Sequence, residues 1–447
     1  MGFSLFRESV LFCILASLLI VFLCILFKIG EGLWHLSTVS ACFGFSFERG
    51  QGMNVKHHSD RLWNKDFVLM LLVFSSSAYA ISILMSLLPV HVLEIGGSNT
   101  VTGLMTTGMT VLTMLTNLLV APLIDRVGRK KLLVLGSGLY FLNLLFFCFT
   151  NELSVLFVLR VFCGFTQGIF FPVMMTMVAD IAPEDQLVDA LGISGAASSV
   201  AFAITPTIGL AIYTNLGSRA MFISAALMGG LTFVLTLFIR EHHQCPLQTK
   251  ADRKGKTGGS IGWASLSMML LPALASMTVF FANSSVVNFL TPCGLSRGME
   301  QISLYFLVNQ GIVMFARLFV GRVLRYVSKR LCTGIGLLLT AGGIALIAVA
   351  HSIPPMLLSA FLIGLGFTAV TQIFQAETLV SVPGERRGLA STVYMLLGSF
   401  GNGAGSALWG AISTASGYTL TYALAGLSTL AGVIIHQVYW RRVPEER

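Results

Sequence analysis

From Phe67 to the end of the chain, runs of about 20 apolar residues alternate with short polar breaks, and that length is what one helical crossing of a bilayer requires. The pattern predicts about twelve such helices, roughly at 66–90, 99–121, 132–150, 153–179, 187–213, 219–239, 263–290, 301–321, 331–350, 354–378, 388–413 and 417–438. Composition agrees. The chain is 55% hydrophobic and 11% charged, with a mean hydropathy of +0.83, whereas an average soluble chain carries roughly a quarter charged residues. A water-soluble protein is excluded.

Basic residues set the orientation, because Lys and Arg are retained on the cytoplasmic side. Alternate connections hold Lys56, Arg61 and Lys65; Arg126, Arg129, Lys130 and Lys131; Arg240, Lys250, Arg253, Lys254 and Lys256; Arg322, Arg325, Lys329 and Arg330; Arg386 and Arg387; and Arg441, Arg442 and Arg447. The opposite set holds only Arg219 and Arg297. A multi-pass inner-membrane protein with both ends of the twelve-helix unit in the cytoplasm follows. The net charge of +9 then needs no nucleic acid to explain it. The eight cysteines stand singly, without a CxxC pair, so neither a disulfide framework nor a metal site is expected. No P-loop, GxSxG or HExxH occurs, so neither an enzyme nor a nucleotide-driven pump is expected.

The longest polar break inside the unit divides it in two. Residues 61–240 form a first six-helix bundle, 241–262 a cytoplasmic linker, 263–438 a second bundle and 439–447 a cytoplasmic tail. Residues 1–60 precede the unit and carry an apolar run, Val10 to Phe27. Met53, directly before the first predicted helix, reads as the native start, which makes residues 1–52 an extension outside the native chain.

The two bundles share landmarks at a constant offset of 200 residues: Val127 and Val327, Gly164 and Gly364, Pro183 and Pro383, Ala190 and Ala390. An offset held across several junctions indicates duplication. Repeats of this kind let one half of a transporter rock against the other around a central site.

The segment Ala121-Pro122-Leu123-Ile124-Asp125-Arg126-Val127-Gly128-Arg129-Lys130-Lys131 resembles the GxxxDRxGRR signature of the major facilitator superfamily, with Ala121 in place of its first glycine. A weaker copy begins at Gly321, with Arg325 where the acid would stand. The resemblance extends from Leu62 to the end. It implies an all-α integral membrane fold, a 12-helix 6+6 bundle with a pseudo-twofold repeat, here with an extra N-terminal hydrophobic segment. It also implies transport by alternating access, driven by a proton gradient in the drug/proton antiporter branch and without a bound cofactor.

Under that resemblance Asp125, Arg126, Gly128, Arg129 and Lys130 form a cytoplasmic latch. Asp125 can meet the positive end of a helix, and Arg129 can pair with Asp180 at the end of the fourth helix. Arg160 lies two turns inside that helix, a depth at which arginine is costly unless it meets water or a partner. Gly164, Gln167 and Gly168 follow it, similar to the arginine-bearing fourth-helix motif of drug/proton antiporters, where the arginine is implicated in proton coupling. Its repeat counterpart is Ala360, so a purely structural role is disfavoured. Arg317 and Glu377, near cytoplasmic helix ends, are further coupling candidates beside a bland reading as snorkelling charges. Glu377 is the better proton carrier, since burial disfavours the ionised carboxylate. No acid occurs between Phe67 and Leu93, so the first-helix carboxylate of some multidrug antiporters is absent.

Pro206 and Gly209 belong to a degraded form of the antiporter fifth-helix signature. Gly401 and Gly405 mark a flexible or closely packed gating helix in the second half. Family geometry places Tyr79, Gln167, Asn283, Gln310, Gln372, Gln375 and Asn402 around the central cavity, with Met174, Met175 and Met277 as adaptable apolar surface. Such a lining suits an amphiphilic molecule. The expected partners are a small-molecule substrate, protons and membrane lipids, with the protein a monomer. An importer or facilitator of a polar nutrient is the alternative, and a non-transporting receptor or scaffold is a third reading.

Overall fold

A computed structural model describes residues 62–183, 186–240, 263–382 and 387–442. The N-terminal extension, the linker and the last five residues lie outside this set, as does Pro383. Among the described residues there are ten helices: α1 (Lys65–Glu94), α2 (Asn99–Val127), α3 (Arg129–Phe147), α4 (Leu153–Ile181), α5 (Leu187–Phe238), α6 (Trp263–Ser296), α7 (Leu304–Val323), α8 (Lys329–Val349), α9 (Ile353–Val380) and α10 (Arg387–Arg442). Nine are long and apolar enough to cross a membrane. Local chemistry starts several of them. Asn64, Ser98 and Ser328 accept a hydrogen bond from the backbone N–H three residues on, satisfying a donor that the first helical turn leaves unpaired.

A straight helix of 52 residues, the length of α5, would run about 78 Å at 1.5 Å per residue, far beyond a bilayer core of about 30 Å. The chain breaks instead at Gly217 (φ 82°, ψ 176°), and α10 breaks at Gly417 (φ 78°, ψ 175°). This backbone region is almost closed to side chains. Contacts with α1 trace the fold-back in α5: Gly209 packs on Ile83 and Leu87, Tyr213 and Phe222 both meet His91, and Thr232 hydrogen-bonds Ser76. Both arms therefore flank α1 in opposite directions. The arms of α10 flank α6 in the same way, with Gly401 on Met277, Tyr422 bonded to Ser285 O and Gly432 on Thr278.

The repeat persists in three dimensions. A side chain at Gly164 would meet the backbone of Met109 on α2, and one at Gly364 the backbone of Asn309 on α7. Gly136 abuts Phe170 as Gly336 abuts Val370. Asn143 donates to Leu159 O, and Ser359 donates to Gly343 O. Each of these contacts recurs 200 residues on.

At the end of the molecule bearing Glu94, Ser98 and Tyr418, a single hydrophobic core runs through both halves, including Leu87, Phe147, Phe222, Phe289, Ile347 and Tyr422. At the opposite end the halves have separate cores, one around Phe67, Leu133 and Val178, another around Ala273, Val370 and Tyr439. Arg297, one of the two arginines on the sparsely charged side, donates to Ile347 O and Ala350 O at 2.6 Å and Ala348 O at 3.1 Å. It caps the negative end of α8, which explains a basic residue there.

Candidate transport site and gates

Small residues and hydroxyls hold the halves together at the joined end. Asn99 Nδ2 donates to Tyr418 Oη at 3.0 Å, Thr100 Oγ1 to Thr414 Oγ1 at 2.9 Å, Thr107 Oγ1 to Gly403 O at 2.6 Å and Thr106 Oγ1 to Asn288 Oδ1 at 3.0 Å. Asn288 continues to Ser406 Oγ at 3.0 Å. Glycine permits this approach: a Cβ on Gly410 would sit 2.5 Å from Asn99 O and 3.2 Å from the Cα of Gly103. No sequence pattern marks this seam.

At the other end, Arg129 of α3 pairs with Asp180 of α4, both within the first half. Its repeat counterpart Lys329 pairs with Glu377, Nζ to Oε1, at 3.0 Å. Tyr439 donates to the other oxygen of Glu377 at 2.8 Å. The acid has moved one helical turn, from the position matching 180 to 377, while the cation kept its place. Glu377 is thus the anionic partner of a second latch-like pair. Asp125 and Arg126 lie in the last turn of α2 and Gly128 breaks the helix there (φ 96°, ψ 138°); the side chains of Asp125 and Arg126 are outside the described set. Lys130 is half-buried and Arg317 exposed, the latter reaching Gly195 on α5.

Arg160 is 2% exposed, among the largest fully buried side chains. Cys163 and Tyr140 lie beside it, and Asn143 Nδ2 reaches Cys163 Sγ at 2.9 Å. Gln167 stands at the Tyr140 hydroxyl and Cys163 at the guanidinium, while Arg160 Nη1 is buried without a partner of its own, so polar capacity in this cluster is left for water, protons or a ligand. Gly164 and Gly168 let α2 approach through Met109 and Thr116.

Of the predicted cavity residues, Tyr79 and Gln167 are buried, while Asn283, Gln310, Gln372, Gln375 and Asn402 are half-buried. They lie on α1, α4, α6, α7, α9 and the first arm of α10. Gly401 and Gly405 pack against Met277 and Phe281 of α6, which decides for close packing at these positions; the break in α10 falls later, at Gly417. Pro206 sits within α5 and Gly209 packs on α1.

Similarity to known proteins agrees with this architecture. The chain is 23% identical over 365 residues to the quinolone resistance protein NorA of Staphylococcus aureus, covering 79% of this chain and 91% of that protein. It is 23% identical over 354 residues to the class E tetracycline resistance protein of Escherichia coli, covering 76% and 86%. The fold matches that of a POT family transporter in complex with a thioalcohol-conjugated peptide, with a TM-score of 0.73 at 14% identity over 85% of this chain and 96% of that one. The sequence model of the Major Facilitator Superfamily matches residues 70–378 and 325–447. With a helical bundle repeated in two halves and that match, the chain belongs to the Major Facilitator Superfamily and is a multi-pass membrane transporter of small molecules.

Proposed function

We propose that this transporter exports amphiphilic small molecules in exchange for protons. The observation that carries the reading is Arg160: a fully buried cation with an unpartnered Nη1, present in one half and replaced by Ala360 in the other. A guanidinium held at depth is expensive, and coupling to a proton or a ligand is the function that repays it. The drug-resistance names of the relatives support an amphiphilic substrate.

In this reading the two arms of α5 and of α10 are separate crossings, which brings the ten helices to twelve spans with both ends in the cytoplasm. The joined end is then the outer face, closed by the α2–α10 seam, and the end with separate cores faces the cytoplasm. Arg129–Asp180 and Lys329–Glu377 are poised there to engage the opposite half when it closes. The chain works as a monomer, with the proton gradient as its energy source.

The amides Asn283, Gln310, Gln372, Gln375 and Asn402 favour a second reading, a facilitator of a polar nutrient. One experiment separates the two. Proteoliposomes loaded with a pH dye are challenged with a quinolone, a tetracycline and polar metabolites, using wild type and Arg160→Ala. Proton counterflow present in wild type and lost in the variant is the expected result; substrate flux without proton movement rejects exchange in favour of facilitation.

A further inference from the structure

His91 stands one turn before the end of α1, 4% exposed. Its Nδ1 lies 3.3 Å from the hydroxyl of Tyr213 on the first arm of α5, and that hydroxyl donates to Glu94 Oε2. A phenol has one proton. With that proton committed to Glu94, the oxygen can only accept from His91, so Nδ1 carries the ring hydrogen and Nε2 the lone pair. Nε2 is buried without a partner at full hydrogen-bonding distance, and the Asn151 side chain stands beside it at the ring. The arrangement is a carboxylate, a bridging phenol and an imidazole whose outer nitrogen faces only the Asn151 side chain, the geometry by which a third group orients and strengthens a base.

We infer that His91 Nε2 is a proton-binding site of the transport cycle at the outer face, with Tyr213 and Glu94 positioning the ring and stabilising its charged form. The inference rests on the proton-coupled reading above. Binding forms one N–H bond with a proton drawn from the outer water. The charge is shared along Nδ1–H, Tyr213 and the Glu94 carboxylate, while the negative end of the α1 macrodipole favours a cation at this turn. The groups facing the ring are Glu94 from α1, Tyr213 and Phe222 from the two arms of α5, and Asn151 from the connection between α3 and α4. Glu94 is the charged one among them. It is exposed, so the cluster reaches from water to a buried base.

Two comparisons within the molecule support the assignment. The repeat counterparts of 91, 94 and 213 are Thr291, Gly294 and Ser413, none of which titrates in the physiological range. The trio belongs to the first half alone. The other buried histidine in the described set, His436, also has a buried nitrogen without a partner, Nδ1, but its Nε2 is held by Arg330 O at 3.0 Å and Thr333 Oγ1 at 2.9 Å, which ties it to α8 and to no carboxylate. Helix α1 lacks an acid along its apolar length, and His91 supplies a titratable group there instead.

The test has two arms. In proteoliposomes, His91→Gln is expected to cut substrate-driven proton movement at least tenfold while retaining binding of a fluorescent substrate in detergent. Tyr213→Phe should move the pH profile toward acid by about one unit, the scale expected from one hydrogen bond to a charged group. Wild-type proton movement in His91→Gln overturns the site. The second arm is independent of transport: ¹⁵N solid-state NMR of histidine-labelled protein in bilayers, with His91 identified by its loss in His91→Gln. An Nδ1-protonated ring that gains a second proton on acidification, at lower pH in Glu94→Gln, supports the site. An Nε2-protonated ring, or one that never titrates, refutes it. Absence of proton movement in wild type with every compound rejects the exchange reading, and the NMR arm still decides whether His91 binds a proton.

Discussion

Gly410→Ala tests the seam between the halves, which the proposed orientation puts at the outer face. In the closed arrangement its Cβ would fall 2.5 Å from Asn99 O and 3.2 Å from the Cα of Gly103, both backbone atoms on the opposite half. Ordinary contact with carbon begins near 3.5 Å, so α10 and α2 would have to separate by about 1 Å. That movement also strains the short Thr107–Gly403 bond of 2.6 Å. Overpacking of this size costs about 1–3 kcal/mol. The methyl meets nothing once the seam has parted, so the cost falls on the outer-closed state alone and shifts the equilibrium toward the outward-open one by about 5- to 150-fold. Spin labels at Glu152 and Glu300, exposed positions on connections of the two halves at the joined end, read the shift as a growth of the long-distance population in pulsed dipolar spectra of a cysteine-free background. Gly342→Ala is the control, because a Cβ there meets nothing within 4 Å. An unchanged or shortened distance distribution in folded Gly410→Ala would refute the idea that close backbone approach at this seam holds the outer side shut.

Arg160→Met replaces a buried cation, flanked by Cys163 and Tyr140, with an apolar chain of similar length and removes the cost of keeping that charge out of water; thermal unfolding in detergent should be maintained while proton counterflow disappears. Gly417→Ala places a side chain in a backbone region open essentially to glycine and should cost on the order of 1–3 kcal/mol, seen as a lower unfolding temperature, whereas Gly342→Ala in the interior of α8 should gain up to about 1 kcal/mol. Asp180→Asn removes the partner of Arg129, whose side chains are 18% and 21% exposed across the pair, and should lower stability by about 1–2 kcal/mol. Lys329→Met breaks a pair whose lysine is 47% exposed, so less than about 1 kcal/mol is expected, with the larger effect on the rate of transport.

The sequence by itself determined the class of fold. Apolar runs of bilayer length have few structural solutions, since each backbone group must find its partner within the segment, and the offset of 200 residues announced two related halves before any contact was known. It also singled out Arg160, because depth in an apolar run makes a charge conspicuous, and, through the resemblance of the 121–131 segment to the family signature, the Arg129–Asp180 pair. Tertiary structure decided what depends on distance between segments. Tyr213, 122 positions from His91, has no local signal that marks it as that residue's partner, and an isolated histidine on an apolar helix reads as packing. The seam of Asn99, Thr100 and Thr107 with Tyr418, Thr414 and Gly403 joins residues some 300 apart, as unremarkable in sequence as any threonine in a membrane helix. The role of the glycines on α10 was open between hinge and close packing until α6 was found against them; a missing side chain permits either, and only the neighbour that fills the space chooses.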